Sequence, residues 1–197
     1  MIRLTQPSEA HVRAFIASQQ PLPFSYAEVG ASRDGAPPGY PVNHYRLRLG
    51  SGREVFERAV EALQRWRMFD LPWTVLYWPA APIEPGSVVA IAAHHYGLWS
   101  LNACRIVYTI DERGAVERRG FAYGTLPGHV EQGEERFTIE WQRHDNAVWY
   151  EIFAFARAKH LLPRIAYPLA RLVQWRFAVD SAHAMLLAAA QDTVSET

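Results

Sequence analysis

Apolar residues recur along this chain with two different periods, and the switches between them mark out its elements. Val12, Phe15 and Ile16 share one face of a helical repeat that Ser8 can cap. Pro21 and Pro23 end that repeat, which predicts an N-terminal helical extension over residues 1–22. From Phe24 to Pro41 no period holds, and Gly30, Gly35, Pro37, Pro38 and Gly39 predict a loop. At about eighteen residues the loop is long, and loops of that length are often functional. Tyr45, Leu47 and Leu49 then alternate with His44, Arg46 and Arg48, the pattern of a strand with one wet face. After Gly50, the pair Ser51 and Glu54 fits a capping box opening a second helix, whose apolar stripe is Phe56, Ala59, Val60, Leu63 and Trp66.

The middle of the chain reads as strands: Trp73–Trp78, Ser87–His95, Trp99–Ile110, Val116–Leu126, a segment around Phe137, Ile139 and Trp141, and Val148–Phe155. Their short connections, such as Asp111–Gly114 and Asp145–Asn146, favour antiparallel neighbours. Beyond Lys159 the period becomes helical again. Ile165, Leu169, Leu172, Val173, Val179, Ala182, Met185, Leu186 and Ala189 form a stripe that predicts a long C-terminal helix over 160–191, with Pro163 leading in and Pro168 in the first turn. No internal repeat or linker interrupts residues 1–197, which predicts one α+β domain: a curling antiparallel sheet with one long helix covering part of its concave face.

Composition narrows the functional classes. Acidic and basic residues balance at 20 each, so no global field would draw in nucleic acid or an anionic membrane. The longest uncharged run, Pro85–Cys104, is broken by prolines, glycines and histidines and predicts strands, not a membrane insertion. Cys104 is the only cysteine, which excludes an intrachain disulfide and favours a reducing, cytoplasmic setting. Met1–Gln20 lacks the apolar core of a signal peptide. Aromatics are plentiful, with nine Tyr, nine Phe and seven Trp, and the tryptophans are mostly core, with one or two available to line a cavity. Nothing in the sequence sets the oligomeric state, and no cofactor motif is present.

Two constellations carry candidate chemistry. Thr125-Leu-Pro-Gly-His129, with Glu131, Glu134 and Glu135 nearby, is the densest polar cluster beside a strand end. There His129 with Glu134 or Glu135 could serve as a catalytic acid–base pair, unless Pro127-Gly128 simply reverses the chain and the glutamates are solvated. The second set, Asn102, Arg105 and Glu151, interrupts apolar strands, with Tyr123 and Thr125 on the neighbouring strand. Buried charges need partners, so Arg105 with Glu151 is one natural pair. The alternative is that Asn102, Arg105, Tyr123, Thr125 and Glu151 anchor the polar end of a ligand in an apolar pocket. His94 and His95 point to opposite sides of a strand, so they cannot share a metal, and no zinc spacing occurs. Gly120-xxx-Gly124-xxx-Gly128 is not a phosphate loop; it suggests a bulge, a bend or a close backbone approach.

Phe121-Ala-Tyr-Gly-Thr-Leu-Pro-Gly-His129 followed by Gly133-Glu-Glu-Arg-Phe137 resembles the signature of the family called domain of unknown function nineteen-ninety. Phe24-Ser-Tyr-Ala-Glu-Val-Gly30, Phe69 between Met68 and Asp70, and Trp99-Ser-Leu-Asn-Ala-Cys-Arg-Ile-Val-Tyr108 agree with it, over roughly Pro23 to Met185. The resemblance implies a helix-grip fold, like START domains, birch pollen allergens and polyketide cyclases, with a sheet holding a C-terminal helix around a cavity. It brings no established catalytic residues. The expected functions, in order, are binding of a small apolar or lipid-like ligand, acid–base chemistry of a cyclase or hydrolase type on an apolar substrate, and a protein-interaction module.

Overall fold

The structure, a computed structural model, describes residues 2–158 and 167–190. Within these, the chain runs β1 (Ile2–Arg3), α1 (Glu9–Gln19), β2 (Val42–Ser51), α2 (Arg53–Gln64), β3 (Thr74–Tyr77), β4 (Val88–His95), β5 (Leu98–Glu112), β6 (Val116–Thr125), β7 (Glu131–Gln142), β8 (Ala147–Ala158) and α3 (Tyr167–Ala190). All strand pairs are antiparallel, in the order β2-β8-β7-β6-β5-β4-β3, with β1 added to the start of β5. The sheet curls into a half-barrel with α3 and α2 against its inner face, the helix-grip arrangement.

Alternation assigns each strand residue to a face. On β8, Val148, Tyr150, Ile152 and Ala154 face inward, while Trp149, Glu151, Phe153 and Phe155 face outward. Inward residues of β5, β6 and β7, including Cys104, Ile106, Phe121, Tyr123, Phe137, Ile139 and Trp141, join Phe56, Leu63, Trp66, Met68 and Phe69 in the main core. Phe121 and Phe137 are fully buried with their rings 5.4 Å apart, each side chain contributing about 2–3 kcal/mol by leaving water. The helix α3 lies close to the sheet because its seam is small: Ala178, Ser181, Ala182 and Ala189, with Met185 between. The Ser181 hydroxyl meets the Tyr150 hydroxyl at 2.9 Å.

Several expectations need adjustment. The capping box does not form: Ser51 ends β2 in register with Ala147, and the helix cap is Gly52 at φ +95°, a conformation glycine adopts freely. Leu172 is exposed, because the α3 seam runs through Ala178 and Ala182 and leaves position 172 on the far side. The tryptophans are less central than expected: Trp66, Trp73 and Trp141 are buried, Trp78, Trp99 and Trp149 are half-buried, and Trp175 is exposed. Residues 160–166 and 191 of the expected C-terminal helix, with Pro163 and Ile165, lie outside the described residues.

The outer face is covered in part. Val12 and Phe15 of α1 pack on Leu101 and on Ala90, Ala92 and Ala103, whose small side chains let the helix settle onto β4 and β5. Tyr26 and Tyr40 of the 24–41 loop pack on Phe155 with edge-on rings.

Candidate functional site

The main core does not fill the whole inner face. Toward the β4–β5 hairpin a cavity of about 370 Å3 opens between the sheet and the first described turns of α3. Its apolar walls come from Phe69, Trp73, Ile91, Ala154, Val173 and Phe177. Tyr96 and Leu98, both exposed, stand at its rim.

Polar groups enter the cavity at fixed places. Alternation along the first half of β7 turns Glu131, Gly133 and Glu135 inward, and Gly133 leaves the space between the two carboxylates free of a side chain. A Cβ on Gly133 would fall 1.9 Å from the Phe155 carbonyl oxygen, so close pairing with β8 requires glycine there. The Tyr123 hydroxyl donates to Glu135 Oε2 at 2.6 Å. Burial pushes the Glu135 carboxyl up to about 7, with the nearby Glu131 adding to the rise and the tyrosine bond opposing it. Glu131 is pushed up to about 6 by burial, against the opposing pull of a 2.6 Å bond from Gln174 Nε2 and of Arg171. Arg171 is itself held by Gln174 Oε1 at 2.9 Å and the Val42 carbonyl at 3.1 Å. His95 lies against Trp73 with ring centroids 4.5 Å apart, and its buried Nε2 has no partner among the described residues. Burial holds its pKa below the usual histidine value.

Of the residues singled out from the sequence, Asn102, Tyr123, Thr125, His129 and Glu135 line this cavity, and Glu134 borders it with its carboxylate turned to the other face. Three of them serve the turn at its wall. Asn102 Oδ1 accepts from the Val130 amide at 3.3 Å while its Nδ2 donates to Ser100 Oγ at 3.0 Å. Thr125 Oγ1 accepts from the Gly133 amide at 3.0 Å and meets Ser25 Oγ at 2.6 Å. His129 Nδ1 accepts from the Glu131 amide at 2.9 Å, closing the Leu126–Val130 turn that Pro127-Gly128 begins. From outside, α1 braces the same turn: Gln19 Oε1 accepts from the Gly128 amide at 2.6 Å.

The expected Arg105–Glu151 pair does not exist. Both side chains face outward, and the two strands are not neighbours in the sheet. Arg105 clamps the carbonyls of Gln20 (2.6 Å) and Leu22 (2.9 Å) and lies over the Phe24 ring, fixing the chain after α1. Glu151 pairs with Arg136 at 2.7 Å. Neither lines the cavity, so their proposed ligand role has no geometric support.

Glu134 is also displaced from its expected role. Its carboxylate turns outward and accepts from Tyr26 Oη (2.6 Å), the Gly30 amide (2.7 Å), the Ser32 amide (3.0 Å) and the Ser32 hydroxyl. It is therefore the anchor of the 24–41 loop, and it is buried, not solvated. Gly124 exists for the same junction, since a Cβ there would lie 2.1 Å from Tyr26 Oη. The sequence hint of a close backbone approach is thus correct at Gly124, while the bulge itself lies opposite, between Ile106 and Tyr108.

Gln174 and Arg171 were not singled out, and Glu131 was named only as a neighbour of the His129 cluster, although Glu131-x-Gly133-x-Glu135 carries a period of two that could have exposed the inward carboxylates. His95 faces the cavity and His94 is exposed and stacked on Trp99, as expected from their adjacency. Cys104 is fully buried with its thiol pushed well up by burial. Among the described residues no three His, Cys, Asp or Glu side chains converge as metal ligands, and no helix is long and apolar enough to cross a membrane.

Comparison with known proteins places this geometry in a family. A UPF0548 protein of Deinococcus radiodurans is 37% identical over 201 residues, covering 96% of this chain and 99% of its own. One from Dictyostelium discoideum is 35% identical over 207 residues, covering 95% of each. Among solved structures, Ara h 8.0201 matches with a TM-score of 0.47 at 14% identity, over 76% of this chain and 99% of that one. Human STARD10 matches with a TM-score of 0.48 at 10% identity, over 94% and 80%. The pattern described as Domain of unknown function (DUF1990) matches residues 25–184, a span that holds the anchored loop, the Pro127-Gly128 turn and both inward carboxylates, and the chain belongs to that family.

Proposed function

We propose that this protein binds a small, largely apolar molecule between the inner face of the sheet and α3. The observation that carries this is the aromatic- and aliphatic-walled cavity of about 370 Å3, with polar groups confined to a few fixed points. Ligand sites are of this size and make-up, apolar walls with a small number of placed polar groups. Empty apolar space costs stability, so a cavity kept open by the small side chains of Ala154 and Ala156 needs a reason beyond folding. Native mass spectrometry of the freshly purified protein, with uptake of the fluorescent neutral probe 1-aminoanthracene, tests it. Bound small molecules, or probe uptake abolished by Ala154→Phe, support the proposal. No uptake by a folded protein overturns it.

The Tyr123–Glu135 pair favours a second possibility, acid–base chemistry on such a molecule. A carboxyl titrating near neutral pH in an apolar site, hydrogen-bonded by a phenol, can both donate and accept a proton. Of the expected pairing of His129 with Glu134 or Glu135 it keeps Glu135, because Glu134 is spent on the loop and His129 Nδ1 on the Glu131 amide. Glu135→Gln would then stop turnover while probe uptake persists. The buried, free Cys104 thiol fits a reducing compartment, and we assign the protein to the cytoplasm; fractionation of cells expressing a tagged chain tests that assignment.

A further inference from the structure

We infer that the guest of this cavity carries a cationic amine, whose ammonium group sits against Glu135 beside the aromatic walls. The inference rests on the cavity being a binding site and concerns only the chemistry of what it takes.

The geometry supplies three observations. First, Glu135 faces the cavity with one protein hydrogen bond, from Tyr123 to Oε2, and Oε1 has no partner among the described residues. The other glutamates next to it in sequence are treated differently. Glu134 receives four hydrogen bonds, and Glu131 has Gln174 and the Arg171 charge beside it. A half-buried carboxylate without a cation is costly in an apolar setting unless something brings the missing charge.

Second, no cation among the described residues does so. The titratable and charged groups around Glu135 are Glu131 on its own strand, Tyr123 on β6, Cys104 on β5 and Tyr150 on β8, none of them cationic. Arg171 on α3 is committed to Gln174 and the Val42 carbonyl, His129 at the turn accepts the Glu131 amide through Nδ1, and His95, at the cavity wall, is held toward its neutral form by burial.

Third, the surrounding rings suit a cation. Phe69, Trp73, Tyr123 and Phe177 line the same cavity, with Phe69 and Tyr123 stacked at 6.4 Å and the Phe69 and Phe177 rings tilted to each other at 5.3 Å. Aromatic faces attract ammonium groups, most strongly where water is excluded. A carboxylate among aromatic rings selects an apolar amine over an apolar acid, which would meet two carboxylates, and over an alcohol, which leaves the charge uncompensated.

The test uses three probes of one skeleton, 2-(2-naphthyl)ethylamine, 2-(2-naphthyl)ethanol and 2-naphthylacetate, each displacing 1-aminoanthracene from the full chain. The amine is expected to bind at least tenfold more tightly than the alcohol at pH 8, with the acid weakest. Glu135→Gln should remove that preference and leave alcohol binding within about twofold, because the amide keeps the Tyr123 contact but not the charge. If the variant does not fold, the wild-type pH profile decides: the amine-to-alcohol ratio should rise about tenfold from pH 6 to pH 8 as Glu135 ionises. An alcohol or acid that binds as tightly as the amine, or a ratio flat in pH, overturns the inference. Uptake of 1-aminoanthracene without amine preference leaves the binding function standing and removes only the amine.

Discussion

Tyr26 donates its hydroxyl to Glu134 Oε2 at 2.6 Å, joining residues 108 positions apart and fastening the long loop to the outer face of β7. The same carboxylate takes the Gly30 and Ser32 amides, so one buried side chain satisfies three donors that would otherwise be left unpaired. Glu134→Ala should therefore destabilise the protein by about 3 kcal/mol in urea unfolding. The Gly30 and Ser32 amides should also lose hydrogen-exchange protection. Unchanged protection at both would show that the loop holds without this anchor.

Two glycines of the same region differ in what a methyl group would meet. At Gly133 the obstacle is backbone, the Phe155 carbonyl oxygen at 1.9 Å; at Gly124 it is the end of the Tyr26 side chain. A side chain can swing away and a paired strand cannot, so Gly133→Ala should cost more than Gly124→Ala, about 3 kcal/mol or above against roughly 1–2. The smaller cost should vanish in a Tyr26→Phe background if it is mainly the lost Tyr26–Glu134 bond. Equal costs in denaturant melts would refute the distinction.

Strands such as Tyr45–Leu49 and Phe137–Trp141 were legible because one face is apolar and the other wet, so the period of two survives in the residue types. Glu131–Arg136 was not legible as a strand for the opposite reason. Its inner positions are carboxylates and a glycine facing a cavity, and its outer Glu134 faces loop amides, so both faces are polar and alternation leaves no trace. Which of its carboxylates face the cavity was hidden with it. Asn102, Tyr123 and Thr125 could be found as polar breaks in apolar strands. Arg105 and Glu151 show the same break yet face outward, since polarity alone does not say which side of the sheet a residue takes.

Arg105 offers a check on that correction. It holds two carbonyls at the end of α1 and stacks on Phe24, a role that needs a planar fork with several donors. Arg105→Ala should cost about 1–2 kcal/mol, and Arg105→Lys should restore little of it. Probe uptake by the cavity should be unchanged in both. A loss of uptake in Arg105→Lys at unchanged stability would return Arg105 to the site.

The pH dependence of stability follows from the two inward carboxyls. Glu135 titrates near 7 and Glu131 near 6 in the folded chain, both above the 4.5 of an unperturbed glutamate. Between about pH 4.5 and 7 the native state therefore holds more protons than the unfolded chain at these positions, and their contribution to stability falls as pH rises. It is complete below pH 4.5 and lost above about pH 7. His95, depressed by burial, acts in the other direction, losing stability as pH drops through the usual histidine range, so the total curve mixes both signs. The difference between wild type and Glu135→Gln isolates one carboxyl. That variant should be near neutral at pH 4 and more stable than wild type by on the order of 2–3 kcal/mol at pH 8, where the native carboxylate carries an uncompensated charge. A saturating amine should narrow the gap at pH 8 by stabilising wild type alone. A gap independent of pH in urea melts would mean that Glu135 is not charged and buried in the way its position in the cavity requires.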